Sequence, residues 1–116
     1  MKKQTYANLA RIFSSLSGET RITILKIIRD KQLSCSDPQN ADLSDSCCSV
    51  SEIAKKLNTP ISTVSYHIKE LKHNSLITTT KKAKNVYCSI NTETTGQLAE
   101  FFKTISQDIV NINPAK

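Results

Sequence analysis

The chain has 116 residues, four cysteines and a formal net charge of +6, which is room for one hydrophobic core. Hydrophobic residues make up 38% and charged residues 22%, with two glycines and three prolines, which excludes a collagen-like or linker-like chain. No window holds the ~18 consecutive apolar residues of a membrane span, and the N-terminus lacks a signal-peptide stretch. The expectation is a cytoplasmic protein with no membrane partner, whose cysteines serve as thiols or metal ligands before disulfides.

In chain order, Tyr6, Leu9, Ala10, Ile12, Phe13 and Leu16 recur at helical spacing over 4–16. Ser17-Gly18 breaks the pattern, with Ser17 as candidate N-cap of a second helix over about 19–30. Ile22, Ile24, Leu25, Ile27 and Ile28 make that helix apolar over much of its circumference, as a central buried helix requires.

Periodicity then stops. The segment 33–49 is rich in Ser, Asp and Asn, carries Cys35, Cys47 and Cys48, and reads as a long loop inserted in a single 1–116 domain. Order returns at Val50, where Ser49 or Ser51 can cap a short helix with Ile53, Ala54 and Leu57. Thr59-Pro60 forms an N-cap and N1 pair for a helix to about His73, whose apolar side is Ile61, Val64, Ile68 and Leu71. Two helices so closely joined predict a helix-turn-helix.

Leu76 to Thr80 reads as a strand, 81–85 as a polar turn and Val86 to Ile90 as the returning strand. A last helix begins at Thr92 or Thr94 and runs to about Val110, with Leu98, Ala99, Phe101, Phe102, Ile105 and Ile109 as its apolar positions; 111–116 reads as frayed. The predicted fold is mainly α with a β-hairpin wing, a winged helix-turn-helix of order α-α-α-α-β-β-α.

Charge is concentrated within this plan. Between Lys55 and Lys84 lie seven lysines and one acid, Glu70, while the rest of the chain has nine bases and nine acids. A localised excess of this kind is what a phosphate-binding face needs, because counterion release drives association. The 34–51 segment is acidic, with Asp37, Asp42 and Asp45 and no base, and is not expected to touch DNA.

Four stretches in this order resemble the ArsR/SmtB family of small dimeric winged-helix repressors. They are Phe13 through Leu25 (FSSLSGETRITIL), Val50 through Leu57 (VSEIAKKL), Thr63 through Leu71 (TVSYHIKEL, similar to the family's TVSxHLxxL) and the wing from Leu76 to Tyr87. The resemblance covers about residues 5–110 apart from the loop. It implies a DNA-binding transcriptional repressor that reads a palindromic operator as a homodimer.

Projected at 3.6 residues per turn, the 60–73 helix puts Val64, Ile68 and Leu71 on one side and Ser62, Thr63, Tyr66, Lys69, Glu70 and His73 on the other. Small hydroxyls near its start permit close approach to base edges, and Tyr66 and Lys69 reach further. The expected DNA contacts are Thr59, Ser62, Thr63, Ser65, Tyr66, Lys69, Lys72, His73, and Lys81, Lys82 and Lys84 of the hairpin. The plainer alternatives are a solvated lysine face and a charged, aggregation-blocking edge. His67, at the rim of the apolar face, reads as a hydrogen-bonded structural histidine. Half-sites about one turn apart call for a two-fold dimer. Tyr6, Leu9 and Phe13 of the first helix and Phe101, Phe102 and Ile105 of the last are its candidate interface, unless they complete the monomer core.

Members of the family often release DNA on binding a metal or metalloid. The terminal-helix zinc site is absent, since no histidine follows His73. The Cys-x-Cys-Asp-Leu site falls in register on Ser49-Val50-Ser51-Glu52-Ile53, with serines at both thiol positions and Cys47-Cys48 immediately upstream. Three thiolates from Cys35, Cys47 and Cys48 suit As(III) or Sb(III), or Cd, Pb or Hg. A thiol-redox or persulfide switch through a Cys35 disulfide to Cys47 or Cys48 competes with that reading, as does a protein-interaction module that senses nothing. Cys88 reads as core packing. No Gly-rich phosphate loop, HExxH or CxxC occurs and both histidines lie on one helix, so an enzyme is not expected.

Overall fold

A computed structural model describes the backbone of residues 3–35, 37, 39 and 42–112 and the side chains of 6–35, 37, 39 and 42–107. The elements are α1 (Lys3–Ser15), α2 (Glu19–Ser34), α3 (Leu43–Ser46), β1 (Cys48–Ser49), α4 (Val50–Leu57), α5 (Ile61–His73), β2 (Ile77–Lys82), β3 (Asn85–Ile90) and α6 (Thr92–Ile112). Of the 111–116 stretch expected to fray, Asn111 and Ile112 instead end α6; 113–116 and the apolar role of Ile109 lie outside what is described. Among the described residues no helix is long and apolar enough to cross a membrane.

The winged helix-turn-helix plan is present, with differences that have physical causes. The helix α2 continues a full turn beyond Asp30, to Ser34. That turn is held from outside: Lys31 Nζ lies 3.2 Å from Glu52 Oε2, and Gln32 Oε1 accepts the Ile90 N–H at 2.7 Å. Ile24 and Ile28 are buried as expected, but Ile22 is exposed. The α2 N-cap is Gly18, in extended conformation with no side-chain cap bond, so Ser17 does not cap it.

The 33–49 segment is not one loop. It contains the short helix α3, and its end forms β1, which adds a third strand to the hairpin in the order β1-β3-β2. Both pairings are antiparallel, with Cys48 opposite Cys88 and Ser49 opposite Tyr87 on one side of β3 and Ile77 opposite Ile90 through Lys82 opposite Asn85 on the other.

Ser49 caps α4 with a full capping box: its hydroxyl accepts the Glu52 N–H and the Glu52 carboxylate accepts the Ser49 N–H. The α4 helix closes on Asn58 in the left-handed conformation (φ 51°), which an asparagine tolerates better than most residues. Pro60 rather than Thr59 caps α5; its carbonyl accepts the Thr63 and Val64 N–H groups, while Thr59 Oγ1 turns back to Leu57 O. The hairpin turn is tighter than predicted, because β2 runs on through Lys82 and leaves Ala83-Lys84 at the tip, Ala83 at φ 56°.

One core joins these elements: Leu9 and Ile12 of α1, Ile24 and Ile28 of α2, Ile53 and Ala54 of α4, Val64, Ile68 and Leu71 of α5, Leu76, Ile77, the two strand cysteines and Leu98. Ile61, expected on the buried side of α5, is exposed instead beside Pro60 and Lys55.

Candidate nucleic-acid interface and thiol pair

The α5 helix buries Val64, Ile68 and Leu71 and exposes Ser62, Thr63, Tyr66, Lys69, Lys72 and His73. Ser62, Tyr66, Lys69 and His73 fall at steps of four, three and four, so they form one outward stripe opposite the buried one. Ser65 and Thr59 are half-buried at its margins. Sidedness of this kind lets a helix enter a groove while its back stays in the core. Lys81 and Lys82 end β2 and Lys84 occupies the hairpin tip, all exposed. Among the described side chains the ion pairs are Arg29–Asp30 and Lys31–Glu52, so no lysine of α5 or the wing is committed to one.

The stripe is braced from behind by a residue that the sequence reading did not single out. Arg21 Nε donates to His67 Nδ1 at 3.2 Å, its Nη1 donates to Ser15 O at 3.3 Å, and its Cζ lies 5.9 Å from the Tyr66 ring centroid. His67 is therefore hydrogen-bonded structure, as expected, and Arg21 fixes the helix that carries Tyr66. The available signal was its place in the FSSLSGETRITIL stretch. At the other end of α5, His73 lines a polar cavity of about 440 Å³ with Asn8 and Arg11 of α1 and Asn91, Glu93 and Gln97 near the start of α6.

The proposed dimer residues divide. Leu9 is 4% exposed and belongs to the monomer core, a correction that follows from its packing inward on α1. Phe13 and Phe101 are half-buried and, with Phe102, form a mutual cluster with centroids 5.6–6.0 Å apart. Tyr6, Phe102 and Ile105 are large, apolar and about half exposed. An apolar surface on two terminal helices is what a partner would cover.

The cysteines are arranged differently from the sequence expectation. All four are free thiols. Cys35 and Cys47 are half-buried, whereas Cys48 and Cys88 are fully enclosed and face each other across the β1–β3 ladder. Burial raises both buried thiols, and Cys88 is pushed up to about 12, with Cys48 and Cys47 nearby adding to the effect. Cys88 is core, as expected, but it is also the partner of Cys48. Among the described residues no three His, Cys, Asp or Glu side chains come together in a way that could hold a metal ion, so Cys35, Cys47 and Cys48 do not converge in this conformation.

Next to this pair, Lys31 and Glu52 tie the end of α2 to the start of α4. Burial alone would raise the Glu52 carboxyl, but the Ser49 N–H and the Lys31 ammonium hold it below its ordinary value. The same hydrogen bond, donated by Lys31 to the Glu52 carboxylate, raises Lys31. Gln32 adds a second tie, to the backbone of β3, which a lone polar residue in a helix pattern does not announce.

Comparisons with known proteins agree with this geometry. The sequence profile of a helix-turn-helix domain matches residues 41–80. The chain is 30% identical over 93 residues to the HTH-type transcriptional regulator YbzH of Bacillus subtilis strain 168, covering 80% of this chain and 93% of that one. Its fold is shared with an ArsR-like transcriptional regulator from Rhodococcus sp. RHA1 (TM-score 0.70, 21% identity, 99% of this chain and 92% of that one). It is also shared with the homodimeric winged helix-turn-helix DNA-binding domain Mb0332 from Mycobacterium bovis, described as a possible ArsR-family regulator (TM-score 0.63, 16% identity, 97% and 94%).

Proposed function

Since this chain belongs to the helix-turn-helix transcriptional regulators and has the ArsR-type winged-helix fold, we propose that it is a cytoplasmic homodimeric repressor of a palindromic operator. We propose further that thiol chemistry releases it from DNA. Its relatives are DNA-binding regulators rather than enzymes. The observation that carries the reading is the exposed stripe Ser62, Tyr66, Lys69 and His73 on a helix whose opposite face is locked in the core.

In this reading Ser62, Thr63 and Tyr66 meet base edges, while Lys69, Lys72 and the wing lysines Lys81, Lys82 and Lys84 neutralise phosphates. Thr59 and Ser65 contribute at the margin of the stripe. His73, beside the α1–α6 cavity, contributes at its far end. A second copy joined through Tyr6, Phe102 and Ile105, with Phe13 and Phe101 behind them, sets two recognition helices about one DNA turn apart. The homodimeric M. bovis domain of the same fold supports this assembly.

For the inducing chemistry, oxidation of a pair of thiols is favoured over a thiolate-bound As(III), Sb(III), Cd, Pb or Hg. Two thiols stand opposed in the sheet, whereas three converging donors are not found among the described residues.

The test is selection of bound duplexes from a randomised 30-base-pair pool by the reduced protein. The expected product is an inverted repeat with half-site centres ~10 base pairs apart. Its affinity should fall steeply between low and moderate salt. An unenriched pool, or affinity insensitive to salt, would refute the reading.

A further inference from the structure

We infer that Cys48 and Cys88 are a disulfide-forming pair that fastens the wing to the strand entering the helix-turn-helix, making DNA binding sensitive to low-molecular-weight disulfides. The inference rests on the DNA-binding reading above and identifies the site of its thiol response.

The register carries it. Cys48 and Cys88 are direct partners in an antiparallel ladder, so both side chains lie on the same face of the sheet. Opposed residues in such ladders have Cα atoms ~4.5–5.5 Å apart, inside the ~4.4–6.8 Å that a disulfide requires. Both side chains are fully buried, so both lie on the core side. Neither Cys35 nor Cys47 has a register partner of this kind among the described strands. The vicinal pair Cys47-Cys48 is poorly shaped for a bridge.

The pair sits at a junction. Cys88 is on β3, the middle strand, and faces Thr79 of β2 on its other side. Cys48 is on the edge strand β1, one residue before Ser49, the cap of α4. A bond between them links the wing that carries Lys81, Lys82 and Lys84 directly to the start of the helix-turn-helix. Drawing the two sulfurs together to the ~2 Å of an S–S bond shifts one element against the other.

Both residues of β1 are buried, but it is the shortest strand of the sheet and lies at its edge. It has two residues and two register pairs, and it follows a four-residue helix with no buried side chain. Local opening of so short an edge strand, without global unfolding, is the route by which a small disulfide would reach Cys48. Burial keeps both thiols protonated while the sheet is closed, so exchange belongs to the opened form.

The steps balance. In the open form Cys48 loses its proton, and its thiolate attacks a small disulfide RSSR, forming Cys48–S–SR and releasing RS⁻. When β1 recloses, Cys88 loses its proton and attacks the Cys48 sulfur, forming the protein disulfide and releasing a second RS⁻. Two protein thiols are oxidised, RSSR is reduced, and the two protons end on two RSH. Excess RSH reverses the sequence.

The experiment uses the full chain, reduced and then treated with oxidised glutathione, with disulfides mapped by mass spectrometry of non-reduced peptides. Affinity for the selected operator duplex is measured on the same samples. The expected result is a Cys48–Cys88 linkage with affinity lowered at least ~5-fold, in the range typical of allosteric coupling, and restored by dithiothreitol. A Cys35→Ser/Cys47→Ser variant, in which both buried cysteines remain, should respond as wild type does. A linkage through Cys35 or Cys47, no linkage, or a Cys48–Cys88 linkage with unchanged affinity overturns the inference. The reduced sample separates the two readings: if it does not bind duplex DNA, the DNA-binding reading fails whatever the peptide map shows.

Discussion

Arg21 donates through Nε to His67 Nδ1 at 3.2 Å, joining the first turn of α2 to the middle of α5 across 46 positions of sequence. Since the guanidinium can only donate, His67 accepts at Nδ1 and carries its ring proton on Nε2. The same arginine reaches Ser15 O and lies over the Tyr66 ring, so one side chain aligns the ends of α1 and α2 with the outward stripe of α5.

Arg21→Ala should lower unfolding stability by about 1–2 kcal/mol, the range for loss of part-buried, charge-assisted hydrogen bonds. His67→Asn offers an oxygen near the position of Nδ1 and should cost less. Urea titrations of both variants check the order. Equal midpoints for wild type and Arg21→Ala would show that the arginine does not brace the helix.

Glu52 gives a pH-dependent counterpart. Its folded pKa lies below the ordinary value of 4.5, because the Ser49 N–H and Lys31 outweigh the effect of burial. Its stabilising contribution is therefore complete above about pH 4.5 and is lost as pH falls through the folded pKa. Glu52→Ala should cost about 1–2 kcal/mol near neutral pH, since both the capping box and the Lys31 tie disappear. Glu52→Gln keeps an N3 acceptor and should cost less. The gap between Glu52→Gln and wild type should close in acid. A gap that stays constant from pH 7 to pH 3 would contradict the ion-pair account.

The exposed apolar face of α1 and α6 predicts a separable defect. Phe102→Ser/Ile105→Ser removes two side chains that are about half exposed in the single chain, so each protomer should still fold. Light scattering after size exclusion should shift from dimer to monomer at micromolar concentration. Operator affinity should fall more than tenfold, because a monomer engages one half-site. A variant that remains dimeric would place the interface elsewhere.

Legibility in the sequence followed the strength of local pattern. The stripe of α5 was readable because a 13-residue helix gives its buried face, Val64, Ile68 and Leu71, three helical repeats. The hairpin was readable from β-branched runs on either side of a polar turn. The strand β1 was not, because Cys48-Ser49 is too short to alternate and its strand state is imposed by the neighbouring β3. Without β1, Cys48 looked like a loop thiol and Cys88 like an isolated core residue. Leu9 and Tyr6 shared one helical pattern that periodicity could not divide between core and surface. Thr59 looked like a cap because Thr-Pro often is one, but the tight turn after Asn58 passes that role to Pro60. The ties of Arg21 and Gln32 leave no local trace, since each is defined by a partner 46 or 58 positions away.

The central claim is that α5 reads sequence while the wing lysines hold phosphate. It is tested most directly by binding Tyr66→Ala and Lys82→Ala to the selected duplex and to a shuffled duplex of equal composition over a range of salt. The account predicts that Tyr66→Ala erases most of the preference for the selected duplex. Lys82→Ala should weaken both duplexes alike and reduce the salt slope by about one. Binding by both variants indistinguishable from wild type on both duplexes would contradict it.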